Sequence, residues 1–286
     1  MQKNLFRILI WLGVMAILTV LAMGIWLIAF GGSQSTESLK WLQFLQTVGT
    51  FLLPPLVCAW FWAKKDALGW LKMDQGAAWY IFLLAIAIMI CAIPGINLLA
   101  DLNSKVQLPE SLDFIEQILK QQEEAAAVLT ERFLQAENIG GLMINLGLMA
   151  LLPALAEELS FRGTLQQILY KGQRDQVPST KAHIAIWVTA FIFSAIHMQF
   201  YGFVPRMLMG AMFGYIFVWT GSLWVPVTMH FVNNGMAVLA YYLFGKEASE
   251  TNWADTIGAG STWWLGVLSL IAVGGLLVWL YRLTKR

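Results

Sequence analysis

The chain has 286 residues, of which 58% are hydrophobic and only 12% are charged, and its net charge is +1. Soluble domains average about a quarter charged residues, so this composition excludes an ordinary soluble protein. The small net charge gives no sign of nucleic-acid binding. Cys58 and Cys91 both fall in apolar runs and are expected to be buried. They indicate neither a disulfide framework nor a cysteine-based metal site.

The apolar residues are concentrated in runs of about twenty, the length that an α-helix needs to cross a ~30 Å hydrocarbon core. We therefore predict an all-α fold, a polytopic transmembrane helical bundle of about eight spans. The predicted spans are 5–30, 41–63, 77–100, 140–160, 182–200, 203–220, 222–244 and 262–282. The first run is longer than the apolar region of a signal peptide and lacks a small-x-small cleavage site, so we treat it as a span.

Basic residues predict the orientation of the bundle. Most Lys and Arg residues fall in segments that lie inside if the N-terminus is cytoplasmic, including Lys3, Arg7, Arg282 and Lys285 near the chain ends. The positive-inside rule therefore predicts that both termini are cytoplasmic.

The stretch 101–137 is too acidic to cross a membrane. Apolar residues recur in it at helical spacing, at Ile115, Ile118, Leu119, Leu129 and Phe133. This pattern predicts an amphipathic helix outside the bilayer that begins near Pro109–Ser111. It is interpreted as a solvated helix, and a substrate-gating element is the alternative.

Three polar clusters interrupt the later spans, where charged and polar groups are costly. The first contains Glu157, Glu158 and Arg162. Glu158 and Arg162 stand four residues apart on one helical face and can pair, whereas Glu157 is rotated by about 100° and points elsewhere. The alternative is that both acids mark the cytoplasmic end of the helix.

The second cluster places His197 four residues after Phe193, and the third places Asn234 four residues after His230. Either cluster could simply provide hydrogen bonds between packed membrane helices. Taken together with Glu157, however, two imidazoles and a carboxamide resemble a water-activating site. A glutamate or imidazole can act as a general base, and N–H groups can stabilise an oxyanion. These residues indicate a hydrolase without distinguishing a protease from other hydrolases.

At these positions the sequence resembles the CPBP group of intramembrane proteases, also called the ABI or CAAX-protease group. Its three signatures EExxxR, FxxxH and HxxxN are present in order as Glu157-Glu158…Arg162, Phe193…His197 and His230…Asn234. The similarity extends through 210–215 and 220–226 and covers about residues 140–240.

The resemblance implies a glutamate-dependent protease of membrane-associated proteins or peptides. Glu157 and His197 would activate water, and His230 and Asn234 would form an oxyanion hole. Glu158, Arg162 and Phe193 would support them. Because Glu157 is predicted near the end of its span, the site is expected to open to the cytoplasm.

No cofactor is expected. The alternative is a zinc protease in which Glu157, His197 and His230 bind the metal. The expected partners are a membrane protein or peptide substrate and the lipid bilayer, with no nucleic acid. The family's distribution suggests a bacterial inner (cytoplasmic) membrane. A non-catalytic scaffold or bacteriocin-immunity-type protein and a proton-coupled transporter are the competing functions.

The predicted spans together with the resemblance, which covers only about residues 140–240, predict the organisation of the chain. Residues 1–139 would form three N-terminal spans with the acidic segment, 140–245 the catalytic core, and 246–286 a C-terminal span with a basic tail. Within the core, Gly210 and Gly214 are expected to let a neighbouring helix approach closely.

Overall fold

The computed structural model describes residues 2–170, 178–245 and 257–285. All regular secondary structure within those ranges is helical, which confirms the predicted all-α fold. The nine principal helices of the described residues are α1 (Gln2–Phe30), α2 (Thr36–Trp70), α3 (Trp79–Ser104), α4 (Asp113–Leu134), α5 (Ile139–Tyr170), α6 (Thr180–Ala195), α7 (Phe203–Thr220), α8 (Trp224–Phe244) and α9 (Trp263–Thr284).

Six of these helices are long and apolar enough to cross a membrane, namely α1, α2, α3, α5, α7 and α9 together with the 3₁₀ turn before it. Each of the eight predicted spans coincides with a helix. However, α6 has only 16 residues, and α8 carries the polar residues of the third cluster. The polytopic helical bundle is confirmed, while the count of eight spans and the cytoplasmic termini stay predictions. The predicted boundary at residue 246 lies outside the described residues.

Two predicted spans have the wrong ends. The fourth was expected to stop at residue 160, but α5 continues to Tyr170. Its polar residues Arg162, Gln166 and Gln167 are buried and hydrogen-bonded inside the protein, so they do not end the helix. The fifth span was expected to reach residue 200, but α6 ends at Ala195. The expected burial of both cysteines is also wrong for Cys91, which is exposed.

Prolines shape the membrane helices. Pro55 lacks an N–H, so the Phe51 carbonyl cannot receive its usual bond from four residues on. Ser160 Oγ of α5 donates to this carbonyl at 2.8 Å. At Pro94 in α3, Ser269 of α9 inserts its hydroxyl, which accepts from the N–H of the next residue at 3.0 Å. Side chains from neighbouring helices thus satisfy backbone groups near the two prolines, as a membrane interior requires.

Close packing of α6 against α7 depends on two glycines. A Cβ at Gly210 would lie 3.3 Å from Ala190 and from the Phe193 ring. A Cβ at Gly214 would lie 2.8 Å from Gln166 Oε1 and 3.0 Å from the Ile186 side chain. Both positions are therefore close helix contacts, as the sequence predicted.

The amphipathic helix is confirmed as α4, preceded by a short 3₁₀ turn at Glu110–Leu112. It packs on the turn that joins α6 to α7, residues 196–202. The Tyr201 N–H donates to Glu123 Oε2 at 3.1 Å, and the Tyr201 hydroxyl donates to Glu116 Oε1 at 3.4 Å. The acidic helix and this turn therefore lie on the same side of the bundle.

Candidate active site

A buried ion pair forms the base of the site. Arg162 Nη1 lies 2.7 Å from Glu158 Oε1, and both side chains have zero solvent exposure. The second guanidinium nitrogen, Nη2, donates to the Gly210 carbonyl of α7 at 2.8 Å. The four-residue spacing predicted this pair. It neutralises the Glu158 carboxylate, which could not stay ionised alone in an apolar interior.

The Phe193 ring links the first cluster to the two histidines. The Arg162 guanidinium carbon lies 4.9 Å from the centre of this ring, within cation–π range. The same ring meets the imidazole of His197 at 5.1 Å and that of His230 at 6.0 Å between centroids. The aromatic residue of the second motif therefore fixes the relative positions of three polar groups.

His230 lies between the two adjacent glutamates. Its Nδ1 is 2.9 Å from Glu158 Oε1, and its Nε2 is 3.8 Å from Glu157 Oε2. Because Glu158 Oε1 also receives the Arg162 N–H, it is an acceptor, and His230 Nδ1 donates to it. This bond fixes the imidazole orientation and leaves Nε2 facing Glu157. The 3.8 Å gap exceeds hydrogen-bond range, so each atom keeps capacity for a third group such as water.

The Asn234 amide is oriented by contacts on both sides. Its Oδ1 accepts from Asn233 Nδ2 at 3.1 Å, and its Nδ2 donates to the Met149 carbonyl at 3.3 Å. This carbonyl lies four residues before Pro153, which lacks the N–H that would normally bond to it. An amide nitrogen carries two N–H groups, so one N–H of Asn234 remains for another acceptor.

His197 stands in the turn after α6 instead of within a span. Its Nδ1 lies 2.7 Å from the Phe193 carbonyl, so Nδ1 donates and Nε2 is the nitrogen left for chemistry. The following residue, Met198, has a left-handed φ of 54°, which turns the chain toward α7.

Comparison with known proteins identifies this part of the chain. Residues 139–236, which contain all three motifs, match the family described as "Type II CAAX prenyl endopeptidase Rce1-like". We refer to this segment, which is similar to that family, as the Rce1-like domain. The match confirms the CAAX-protease resemblance that the motifs predicted.

A curated relative of this chain is "Uncharacterized protein YpbD" of Bacillus subtilis (strain 168), which is 33% identical over 88 residues. The match covers 29% of this chain and 39% of that protein, so the two chains are similar over a minor part of each. No solved structure matches the chain.

Within the Rce1-like domain, the structure brings together most of the predicted residues. Glu157, Glu158, Arg162 and His230 form one connected group, with Phe193 packed against it. Among the described residues, the ion pair of Glu157 is with His230, and none joins it to His197. The imidazole beside Glu157 is therefore that of His230, which the family resemblance had placed in the oxyanion hole.

The alternative zinc site, with Glu157, His197 and His230 as ligands, stays a prediction. Across residues 2–170, 178–245 and 257–285, no three His, Cys, Asp or Glu side chains are arranged to hold a metal ion. His230 already uses Nδ1 on Glu158, and only its Nε2 approaches Glu157.

Arg206 and Gln199 were not among the predicted site residues. Arg206 lies in the first turn of α7, and its Nη2 donates to Gln199 Oε1. Its guanidinium interacts electrostatically with both Glu157 and His197. The signal was a charged residue at the start of an apolar helix, nine residues after His197, which had been counted only for orientation.

The reason for predicting a cytoplasmic opening is wrong. Glu157 is not near the end of its helix, because α5 continues to Tyr170. The turn that carries His197 lies on the side of α4, which contacts it through Tyr201. In the predicted orientation, with cytoplasmic termini, that is the outer side of the membrane.

Proposed function

We propose that this integral membrane protein is an intramembrane endopeptidase that hydrolyses peptide bonds of membrane-associated proteins or peptides. The observation that carries the proposal is the geometry of Glu157 and His230. A carboxylate that is 16% exposed faces an imidazole nitrogen at 3.8 Å, and a second carboxylate fixes that imidazole from behind. The Rce1-like match supports a CAAX-type protease over other hydrolases.

In the proposed reaction, a water molecule binds between Glu157 Oε2 and His230 Nε2. Glu157 accepts one proton as general base while the water oxygen attacks the peptide carbonyl. The tetrahedral intermediate then collapses, the C–N bond breaks, and Glu157 returns the proton to the departing amine. Hydrolysis is thereby balanced: one water is consumed, and one amine and one carboxylic acid are formed.

Hydrogen-bond donors are needed where the oxyanion develops. The remaining N–H of Asn234 is one candidate. His197 Nε2 could donate only from a protonated imidazole, and burial together with the nearby Arg206 lowers the pKa of His197. His230 can donate from Nε2 only as an imidazolium, since Nδ1–H is already committed to Glu158. We assign Glu157 and His230 to the water and the Asn234 N–H to the oxyanion. His230 thereby takes the water-activating role that the family resemblance gave to His197.

A metal-free mechanism is part of the proposal, since Glu157 can itself accept the proton from water. Zinc binding by Glu157, His197 and His230 is the alternative. The substrate is a membrane protein or peptide, and a bacterial cytoplasmic membrane is the proposed location.

The first experiment compares the membrane peptidome of cells that produce the wild type with that of cells that produce Glu157→Gln at matched levels. Glutamine keeps the side-chain size but cannot accept the proton, so cleavage should fall by about 100- to 10,000-fold. The exposed Glu124→Gln on α4 is the matched control, because it removes the same charge away from the site. Each culture is also treated with a membrane-permeant chelator.

Peptides that disappear in Glu157→Gln but persist in Glu124→Gln and with chelator support the glutamate protease and reveal its substrate. Loss with chelator alone would require a metal mechanism in place of the one proposed. Identical peptides from the wild type and Glu157→Gln would contradict the enzyme and favour a non-catalytic scaffold.

A further inference from the structure

Arg206 is a cation beside the site that the proposed reaction does not use. It stands in the first turn of α7, directly after the turn that carries His197. Its Nη2 donates to the Gln199 side chain, and the guanidinium packs over Gly202, where a Cβ would lie 3.0 Å from Nη2. These contacts hold the planar group in one orientation.

The other guanidinium nitrogen, Nη1, is fully buried and has no hydrogen-bond partner. Among the described residues, Arg206 forms no ion pair within 4.0 Å, although it interacts electrostatically with Glu157 and with Glu123 of α4. A buried guanidinium N–H without an acceptor is unfavourable, because burial removes its hydrogen bonds to water. An acceptor group of a bound substrate at this place would remove that cost.

We propose that Arg206 is a specificity-determining residue that binds a carboxylate of the substrate next to the scissile bond. Guanidinium matches carboxylate in shape and charge, and it binds this group through two parallel N–H bonds. The carboxylate comes from the C-terminus of the substrate or from an acidic side chain. The inference rests on the proposed function, because it places Arg206 beside the bond that Glu157 hydrolyses.

Glu157 is not the missing partner. Its carboxylate faces His230 at 3.8 Å, and no ion pair joins it to Arg206 within the part of the chain that the structure describes. Glu123 accepts from the Tyr201 backbone instead. Arg206 thus keeps its donor free while lying within electrostatic range of the reacting carboxylate.

The test uses the full-length protein in liposomes and three quenched fluorescent peptides that share one apolar sequence. They end in a free carboxylate, in a carboxamide, or in a glutamyl carboxamide. Wild type, Arg206→Gln and Arg206→Lys are compared, with Arg132→Gln as control, because Arg132 is an exposed arginine of α4. Both kcat and KM are measured for each protein with each of the three peptides.

We expect the wild type to cleave the free acid with a kcat/KM about 10- to 100-fold above that of the carboxamide. This is the size of effect that a hydrogen bond to a charged group produces. Arg206→Gln should remove this preference mainly by raising KM for the acid, while an effect of the lost charge on Glu157 should change kcat for the acid and the carboxamide by the same factor. Arg206→Lys should keep part of it, and Arg132→Gln all of it. Activity on the glutamyl carboxamide at the level of the free acid assigns the carboxylate to a side chain, and activity at the level of the carboxamide assigns it to the C-terminus.

Equal cleavage of all three peptides by the wild type would overturn the carboxylate site while leaving the protease intact. An equal loss on all three in Arg206→Gln would also overturn it. If no peptide is cleaved in a Glu157-dependent way, the proposed function fails. Binding of the same peptides to the protein then tests whether Arg206 forms a carboxylate site. Tighter binding of an acidic peptide that Arg206→Gln abolishes supports the site, and equal binding overturns it.

Discussion

Replacing Arg162 by Met tests whether the buried ion pair stabilises the Rce1-like domain. The guanidinium has zero exposure and lies 2.7 Å from the Glu158 carboxylate and 2.8 Å from the Gly210 carbonyl. Methionine fills much of the same space but leaves the Glu158 charge without its counterion. Breaking such a pair costs about 3–5 kcal/mol. That is a large part of the ~5–15 kcal/mol that stabilises a typical protein.

The double variant Glu158→Gln, Arg162→Met removes both charges together. Its amide oxygen can still accept from His230 Nδ1, so the loss should be smaller than the sum of the two single losses. We expect a coupling energy of about 1–3 kcal/mol. Unfolding by SDS in mixed micelles, followed by tryptophan fluorescence, measures the stability of four proteins. They are the wild type, Glu158→Gln, Arg162→Met and the double variant. Arg132→Met, at an exposed position of α4, should stay within about 0.5 kcal/mol of the wild type.

Two results would refute this reasoning. The first is an Arg162→Met protein that unfolds at the same SDS fraction as the wild type. The second is strict additivity, in which the double variant loses as much as both single variants together. Either result would show that the short Arg162–Glu158 contact contributes no net stability.

Two further predictions concern helix packing and the turn beside α4. Gly214→Ala places a Cβ 2.8 Å from Gln166 Oε1 and should destabilise the protein by about 1–3 kcal/mol in the same SDS assay. Gly274→Ala, which meets nothing within 4 Å, should be neutral or slightly stabilising. The pKa of Glu116 is lowered, chiefly by hydrogen bonding to Lys120, so its stabilising contribution is present above the unfolded pKa near 4.3 and is lost as the pH falls through the lower folded value. Protection from hydrogen exchange in the turn 196–202, taken relative to the intrinsic exchange rate at each pH, should therefore fall at acidic pH. The same protection at all pH values in wild type and Glu116→Gln would contradict the contact.

Local spacing predicted the parts of the site that lie on one helix. The Glu158–Arg162 pair follows from the four-residue repeat of a helix, and the structure shows it at 2.7 Å. The different direction of Glu157 follows from the same geometry. The helical spans were predicted for an equally simple reason, since apolar length alone determines what can cross a membrane.

Contacts between helices could not be predicted in the same way. His230 is 72 residues from Glu158, and only the packing of α8 against α5 shows that it lies between the two glutamates. The end of α5 was predicted too early because Gln166 and Gln167 are polar in sequence yet buried in the fold. Arg206 was overlooked because a charge at the start of an apolar helix is usually explained by orientation.

The backbone of α5 also determines where the site can form. Pro153 cannot donate to the Met149 carbonyl, and a backbone oxygen without its usual partner is costly in a membrane interior. Asn234 donates to that oxygen at 3.3 Å, while His230, one turn earlier on α8, donates to Glu158 at 2.9 Å. The antiparallel helices are thus joined at two points on one face of α8. These contacts fix both polar residues of the HxxxN motif. The backbone hydrogen bond that Pro153 cannot make therefore helps to position the groups that face Glu157.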